Sequence, residues 1–219
     1  MTTPVRVVLC SLLTCILSAS LSAQKTNEWE VETENADTHL VFVGDSIEMW
    51  TSAGLTLWRV QPMSVPFTIE YEAMVVLQDS TDRLSDLNCF WLATDPNEPD
   101  GSIFPRLKER NGIFRNASSL QLYYVGYGGN WNTTTRFRRY NGRPQPPLLQ
   151  EYTDSCHLLQ PNHWYRIRIM ADFTHTCYYM NGELLFEYAD PQPLRRGWFG
   201  FRTTKSHCLL RSFRIITST

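Results

Sequence analysis

The sequence predicts an all-β protein, an antiparallel β-sandwich, and three observations lead to this fold class. About a dozen short runs rich in Val, Ile, Phe, Tyr, Trp and Thr alternate with turn residues, as strands and hairpins do. After residue 24 no stretch of even ten residues has a convincing helical period. The strongest hairpin signal is Asn181-Gly182, which lies between two such runs. Many short strands with almost no helix favour a sandwich.

The first 23 residues have the order of a secretory signal peptide. Arg6 precedes an apolar run from Val7 to Leu17, and small residues follow up to Ala23. We expect cleavage after Ala23, which leaves a sandwich domain at residues 24–219. No other run approaches the roughly 18 apolar residues that a membrane span needs. We therefore expect a periplasmic or extracellular protein with no membrane span.

Charge, length and cysteine content bound the class of protein further. Without Arg6, 19 of the 20 basic residues remain against 22 acidic ones, a balance that gives no sign of a nucleic-acid partner. A chain of this length usually forms one domain around one core, and we expect a monomer. Four cysteines remain after the signal segment, with no CxxC pair and no zinc spacing, so disulfides and buried thiols both stay open. They are Cys89, Cys156, Cys177 and Cys208.

The individual strands follow from alternating or apolar runs between turn residues. In chain order we expect strands at 39–43 and 46–50, joined by the turn Gly44-Asp45-Ser46, and then at 55–58, 66–77, 89–94, 122–127, 134–140, 164–169, 176–180, 183–188, 197–203 and 209–216. The last two are expected as separate strands around Lys205-Ser206-His207. Residues 97–119, rich in Pro, Gly and charge, form the least regular segment, and long loops in compact domains are often functional.

The stretch from 123 to 140 concentrates aromatic residues, arginines and turn residues. Strand parity places Tyr123, Val125 and Tyr127 on one face and Leu122, Tyr124 and Gly126 on the other, while Arg136 and Arg138 share a face beyond the Gly-Gly-Asn turn. Tyrosine rings cover the C–H side of a sugar, and guanidinium groups donate paired hydrogen bonds to hydroxyls or a uronate. We expect Tyr124, Tyr127, Arg136 and Arg138 to contact a ligand. The alternative is exposed arginines on a hairpin whose tyrosines pack inward.

Two other patterns have a catalytic interpretation. Glu70 and Glu72 share a face of the 66–77 strand and could act as acid and base in glycoside hydrolysis, although solvent-facing glutamates on a half-buried strand are the preferred interpretation. Gly44-Asp45-Ser46-Ile47 looks like the nucleophile block of the GDSL esterases, with an Asp-x-x-His pattern at Asp154 and His157. Those esterases are α/β proteins, so the absence of helical periodicity makes a plain turn the preferred interpretation.

The C-terminal half looks like the end of a concanavalin A-like jelly roll. The resemblance rests on the strand from Tyr165, the Asn181-Gly182 hairpin, the run 197–202 and the closing strand at 213–215, and it extends to YesU-type and 3-keto-disaccharide hydrolase-type domains. The runs 82–91, 123–130 and 134–138 also resemble an uncharacterised secreted family common in gut Bacteroidetes. This resemblance implies the jelly-roll fold and a role on plant or host polysaccharides, with carbohydrate as the partner. It supplies no catalytic residues.

The candidate residues divide by role. A polysaccharide lyase acting on a uronic-acid chain needs a cation, a base and an acid, and the candidates are Arg136 or Arg138, His207, and Tyr124 or Tyr127. The candidate substrate-binding residues are Asn88, Trp91, Tyr127, Asn130, Arg138 and Arg202. For a hydrolase, Asp86 or the glutamate pair would carry the proton transfers. Without catalysis, the aromatic residues suffice for a lectin-like carbohydrate-binding module.

No cofactor is expected, although a structural calcium ion is open. Asp79, Asp82 and Asp95 lie in loops where carboxylates could bind it. No loop has a dedicated calcium spacing.

Overall fold

The computed structural model describes residues 27–35, 37–78 and 82–217. The predicted signal segment 1–23 and Asp79 lie outside the described residues. The strands are β1 (Trp29–Thr33), β2 (Thr38–Val43), β3 (Ser46–Arg59), β4 (Met63–Ser64), β5 (Phe67–Val75), β6 (Leu87–Thr94), β7 (Gln121–Gly128), β8 (Thr134–Asn141), β9 (Leu148–Tyr152), β10 (Tyr165–Ala171), β11 (His175–Met180), β12 (Glu183–Ala189) and β13 (Arg196–Thr217). The pairings between these strands are all antiparallel, which confirms the all-β fold class.

The strands form two layers that are joined through the long strand β13. The strand order is β12-β11-β10-β5-β13-β6-β7-β8-β9, and β3 lies beside β13 with β1 and β2 as its other partners. Residues 198–202 of β13 pair with β6, whereas residues 208–217 pair with β5. The inner faces of the layers meet where Trp91 of β6 donates a hydrogen bond to Thr176 of β11 over 2.9 Å. The chain is therefore a sandwich with one strand running through both layers.

The main core fills the space between the layers. Alternation predicts which side of each strand faces inward, and β5 and β10 alternate between buried and more exposed positions along their whole length. Large aromatic side chains dominate the interior, and Trp91 stacks on Phe137 with ring centroids 5.7 Å apart. Aromatic side chains of this size bury much area each and carry most of the burial energy of such a core.

A second apolar cluster covers the outer face of the β6–β8 layer. The segment between β6 and β7 folds back over this face through a short helix, α1 (Leu107–Arg110), and a 3₁₀ helix (Phe114–Ser119). Its side chains pack on strand residues such as Trp58 and Phe90. The irregular segment 97–119 is thus a fitted part of the fold that shapes the face beside it.

Buried charges hold this covering segment in place. The guanidinium of Arg110 donates to Glu32 of β1 over 3.1 Å and to the carbonyl of Ile103 over 2.5 Å, and it lies 3.6 Å from a carboxylate oxygen of Asp95. Asp95 also accepts hydrogen bonds from Asn97. Asp95 therefore anchors this segment.

Among the described residues, no group of three or more His, Cys, Asp or Glu side chains is placed to hold a metal ion.

Several local predictions are wrong in detail. Residues 46–59 form one strand, β3, where two were expected, and the chain gains β1, which pairs with it. The two expected C-terminal strands are a single β13, whose ladder with β3 is irregular at Thr204–Ser206, where Lys205 has a φ of 47°. A local change of register bends a strand without ending it. The turn-like residues 204–206 therefore lie within β13 and do not reverse the chain. The four described cysteines are all free thiols.

Candidate functional site

A cavity of about 710 Å³ opens on the outer face of the β6–β8 layer, next to the 3₁₀ helix. We call it the arginine cavity. Its floor comes from strand residues, one wall from the 3₁₀ helix, the opposite wall from the β8–β9 loop, and its end from the segments before β6 and around the β7–β8 turn. The lining residues are Arg83, Asp86, Asn88, Phe114, Arg115, Ser118, Tyr124, Gly126, Gly129, Asn130, Thr134, Arg136, Arg138, Tyr140, Pro144, Gln145, Pro146 and Thr204.

Strand register explains why polar groups collect on this floor. Asn88, Gly126 and Arg136 are paired across β6, β7 and β8, and Phe90, Tyr124 and Arg138 form the next row. Directly paired residues point to the same face of a sheet. Two rows thus bring the predicted arginines and a tyrosine onto one surface.

Gly126 makes room for the Tyr124 ring in the middle of this floor. A Cβ on Gly126 would lie 2.7 Å from Cζ of Tyr124 and closer still to its hydroxyl oxygen. Tyr124 also packs against Phe90 and Phe114, with ring centroids 5.4 Å and 5.3 Å away. The phenol therefore lies over Gly126, the middle residue of the row that contains Asn88 and Arg136.

Tyr124 and Asn88 bring polar side-chain groups to the floor of the cavity. Tyr124 is 6% exposed and lines the cavity, and burial raises the pKa of this phenol well above its ordinary value. Asn88 is 6% exposed; its amide nitrogen donates to Asp86 over 3.3 Å, while its Oδ1 is buried without a partner. Buried polar groups are normally satisfied, so the Asn88 oxygen is an exception at the edge of the cavity.

The electrostatic character of the cavity is positive. Arg83, Arg115, Arg136 and Arg138 line it, against Asp86 as the acidic side chain among the lining residues. Asp86 is paired with Arg83 at 2.6 Å, and Arg136 is paired with Glu151 outside the cavity. Arg138 donates to the carbonyl of Pro146 over 2.7 Å, and Arg115 is exposed with no ion pair to a described residue. Arg115 and Arg138 therefore remain uncompensated by carboxylates and favour an anionic ligand.

Six of the ten residues predicted for the site line this cavity. They are Asp86, Asn88, Tyr124, Asn130, Arg136 and Arg138. Their functional roles stay predictions, but the geometry brings them onto one surface.

The other four lie elsewhere, for identifiable reasons. Trp91 is 0% exposed and Tyr127 packs edge-to-face on Tyr165 in the main core, because both belong to the opposite strand face. Arg202 is buried beneath Phe114 and donates to the carbonyl of Gly112 over 2.6 Å, and burial lowers its pKa. His207 is paired with Glu48 at 2.7 Å and lines a neighbouring cleft. The structure therefore places Trp91 and Tyr127 in the main core and not in the arginine cavity.

The two alternative catalytic patterns also have structural explanations. Hydrogen bonds from Arg214, and from Arg168, lower the pKa of Glu70 against the opposing effect of burial, and Glu72 accepts from Arg211 over 2.7 Å. These glutamates belong to a charged lattice on the outer face of the other layer. The esterase interpretation is contradicted by the all-β fold: Ser46 pairs with Val43 in the β2–β3 hairpin, and the Asp154–His157 pair, at 2.8 Å, lies beyond β9.

Sequence reasoning missed the walls of the cavity. Phe114 and Arg115 belong to the irregular 97–119 segment, and Pro144 and Pro146 to the proline-rich β8–β9 loop. The only sequence signal was that the first of these loops was long. Periodicity cannot locate loop residues in space.

A comparison with protein families identifies the chain. The family model described as Domain of unknown function (DUF6250) matches residues 49–213. The chain belongs to the DUF6250 family. The match includes every strand residue on the floor of the arginine cavity. No curated protein matches the sequence significantly.

Solved structures share the fold of this DUF6250 member at low sequence identity. A Bacillus subtilis protein of unknown function with a galectin-like fold has a TM-score of 0.70 and 18% identity, covering 89% of this chain and 91% of that one. The carbohydrate-binding module CBM66 from Bacillus subtilis has a TM-score of 0.59 and 11% identity, with 87% and 96% covered. A β-1,3-1,4-glucanase (lichenase) derived from a mouse hindgut metagenome has a TM-score of 0.52 and 9% identity, with 85% and 91% covered. These likenesses establish a jelly-roll fold of the lectin and glucanase type.

The described residues contain no helix long and apolar enough to cross a membrane.

Proposed function

We propose that this protein is a carbohydrate-binding domain that holds an acidic glycan, such as a uronic-acid polysaccharide or its oligosaccharides, in the arginine cavity. The observation that carries the proposal is the floor itself: the Asn88 amide and the Tyr124 phenol lie in rows with Arg136 and Arg138, and all four line the cavity. A neutral phenol donates a hydrogen bond and covers apolar C–H groups, while guanidinium groups pair with a carboxylate. The names of CBM66 and of the glucanase, which share this fold, support a carbohydrate ligand.

Binding is favoured over catalysis by the groups that line the cavity. None of its described lining residues is a histidine, and its carboxylate, Asp86, is paired with Arg83. The raised pKa of Tyr124 keeps its proton in place near neutral pH. Proton transfer requires a group whose pKa lies near the working pH. The cavity therefore lacks the acid–base pair that a lyase or a hydrolase needs. Either enzyme would release products that an assay detects.

Calorimetric titration with oligosaccharides of galacturonic, mannuronic and glucuronic acid, and with neutral glucose oligomers of equal length, tests the proposal. The acidic ligands are expected to bind and the neutral ones to bind at least tenfold more weakly. Affinity for the acidic ligands should fall as salt rises, because the charges are partly exposed. Equal affinity for both sets would contradict the acidic specificity, and no binding to any would contradict the function.

A pair of variants localises the site. Arg138→Ala removes a charged donor from the cavity and should weaken acidic-ligand binding by roughly 10- to 100-fold, as expected for loss of a hydrogen bond to a charged group. Arg168→Ala, which removes an arginine paired with Glu70 on the other layer, is the matched control and should bind as the wild type does.

Incubation of the acidic polymers with the wild type, followed by assays for unsaturated products and new reducing ends, should be negative. Product formation would instead favour the lyase or hydrolase.

We also propose that the protein acts outside the cytoplasm, on plant or host polysaccharides. The basic, apolar and small-residue order of residues 1–23 supports export. N-terminal sequencing of protein recovered from the periplasm or medium of an expressing bacterium should begin at Gln24. An intact Met1 terminus on cytoplasmic protein would contradict it.

A further inference from the structure

A second cleft of about 360 Å³ adjoins the arginine cavity. It is lined by Trp50, Thr51, Ser52, Asp82, Arg83, Trp131, Lys205, Ser206 and His207, and we call it the tryptophan cleft. Arg83 lines both spaces, and Thr204 of the cavity immediately precedes Lys205 of the cleft along β13. A ligand that leaves the cavity past Arg83 therefore enters this cleft.

Trp131 stands at the boundary between the two spaces. It is 69% exposed, the largest exposed fraction among the large hydrophobic side chains of the described residues. The Arg83 guanidinium lies 4.6 Å from the centroid of the indole. Because this guanidinium covers one face, most of the exposed area belongs to the other face and the ring edge. An apolar ring face in this position is available to a ligand.

The backbone that presents Trp131 is unusual. The φ values of Asn130, Trp131 and Asn132 are 53°, 61° and 56°, so three consecutive non-glycine residues lie in the left-handed region. Such backbone costs on the order of 1–3 kcal/mol per residue and persists only where neighbouring contacts enforce it. Here Asn132 clamps the turn, accepting from the Leu159 amide over 2.8 Å and donating to its carbonyl over 2.9 Å. The turn is thus held in a form that keeps the indole outside the core.

The remaining walls of the cleft fit the next units of an acidic glycan. Trp50 supplies a second exposed indole, 37% exposed, and Lys205 is exposed with no ion pair to a described residue. Aromatic faces pack on the C–H side of sugar rings, and an ammonium group attracts a uronate. The cleft therefore repeats the aromatic and cationic character of the arginine cavity, with Arg83 and Lys205 against Asp82 among its lining residues.

We propose that the tryptophan cleft is a second subsite, in which Trp131 stacks on a sugar ring of the same acidic glycan chain that occupies the arginine cavity. This inference rests on the proposed carbohydrate-binding function and adds that the protein recognises an internal stretch or a long oligomer. Short oligosaccharides fill the cavity alone, whereas longer ones reach past Arg83.

Oligosaccharides of two and six residues of galacturonic, mannuronic and glucuronic acid, titrated against the full protein, test the subsite. Trp131→Ala should weaken binding of the six-residue ligand about five- to tenfold and change binding of the two-residue ligand less than twofold. Trp164→Ala is the matched control, because Trp164 also stacks on an arginine, Arg211 at 3.9 Å, but does not line either space. It should bind both ligands as the wild type does.

A measurement on the wild type keeps the test independent of variant folding. In nitrogen-15 correlation spectra, the indole signals of Trp131 and Trp50 should shift on addition of the six-residue ligand, and that of Trp164 should not. If the wild type binds the six-residue ligand while Trp131→Ala binds it equally well and the Trp131 signal stays in place, the second subsite is wrong and the binding function stands. If the wild type binds none of the ligands, the proposed function fails and the subsite falls with it.

Discussion

At the scale of single residues, the arginine cavity depends on a glycine. Gly126 lies between Asn88 and Arg136 in one row of the sheet, and the absence of a side chain there lets Tyr124 lie flat. A β-strand prefers almost any residue to glycine, because glycine adds chain entropy and no packing. The glycine is explained by the phenol that it accommodates.

Gly126→Ala is expected to weaken acidic-ligand binding at least tenfold, because the new methyl group displaces the Tyr124 ring into the cavity. Overpacking of this kind also destabilises the fold by about 1–3 kcal/mol. Calorimetric titration measures the first effect and urea denaturation the second. Gly129→Ala is the control in the same cavity, since a Cβ there meets nothing closer than 3.7 Å. Identical binding by the two variants would contradict the role given to Gly126.

At the scale of elements, the covering segment between β6 and β7 forms a wall of the cavity and is fixed by buried charge. Arg110 of α1 contacts both Glu32 of β1 and Asp95 at the end of β6, and all three are almost fully buried. Loss of one member of such a cluster leaves the others charged and without compensation. The position of Phe114 and Arg115 therefore depends on contacts outside the cavity.

Arg110→Met should lower the free energy of unfolding by about 3–5 kcal/mol, the usual cost of breaking a buried ion pair. Urea denaturation followed by tryptophan fluorescence measures this loss. Arg106→Met, on the neighbouring turn, removes a partly exposed arginine that pairs mainly with Glu109 and should lower the free energy of unfolding far less than Arg110→Met does. Similar losses in both variants would show that the buried cluster is not the anchor.

Asp190 gives the β12 end of the fold a pH-dependent contact with β7 and β8. Burial opposes its ionisation, but hydrogen bonds from Tyr123 at 2.6 Å and from Arg139 at 2.9 Å outweigh burial and lower its pKa below the ordinary value. A carboxyl whose pKa is lower in the folded state stabilises the fold above its unfolded pKa, about 4, and this stabilisation is lost as the pH falls through the folded pKa.

Asp190→Asn should therefore be less stable than the wild type at pH 6 by about 1–3 kcal/mol, and this difference should shrink as the pH falls below about 4. Denaturant titrations at a series of pH values check this sign. The exposed Asp37→Asn is the control and should follow the wild type at each pH. A difference that stays constant down to pH 2 would mean that charge on Asp190 is not the cause.

At the scale of the whole molecule, the sandwich is stabilised by its core without covalent links between described cysteines. Cys89 and Cys208 are buried and Cys156 is exposed, and all four thiols are free. Burial raises the pKa of the Cys89 thiol to about 12, so this group is inert near neutral pH. Aromatic packing between the layers supplies the stabilisation that disulfides supply in small secreted domains.

A reducing agent should consequently leave the thermal midpoint of the protein unchanged. Calorimetry with and without dithiothreitol measures it, and iodoacetamide at pH 8 should modify Cys156 well before Cys89. A midpoint that falls on reduction, or a faster band on a non-reducing gel, would indicate disulfides.

The candidate site could be predicted in part because strand periodicity carries real spatial information. Parity alone separates Tyr124 from Tyr127, and the pairing of β7 with β8 follows from the hairpin. Parity does not say which face becomes the core. The sequence alone therefore predicts ligand contacts for Tyr127 and Trp91, whereas the structure places both side chains in the core. That choice depends on the second layer, β10 to β12, whose residues lie more than 30 positions away in the chain.

By itself, the sequence determined the all-β class, most strand positions and the hairpin that carries Tyr124, Arg136 and Arg138. These features depend on local alternation, turn residues and side-chain shape, which act over a few neighbouring positions. Only the tertiary structure decided that His207 lies in a different cleft, that Arg202 is buried, and that Phe114 and Arg115 line the arginine cavity while Trp131 lines the tryptophan cleft. The reason is physical: these placements arise from pairing and packing between distant segments, and no local pattern encodes which distant segments meet.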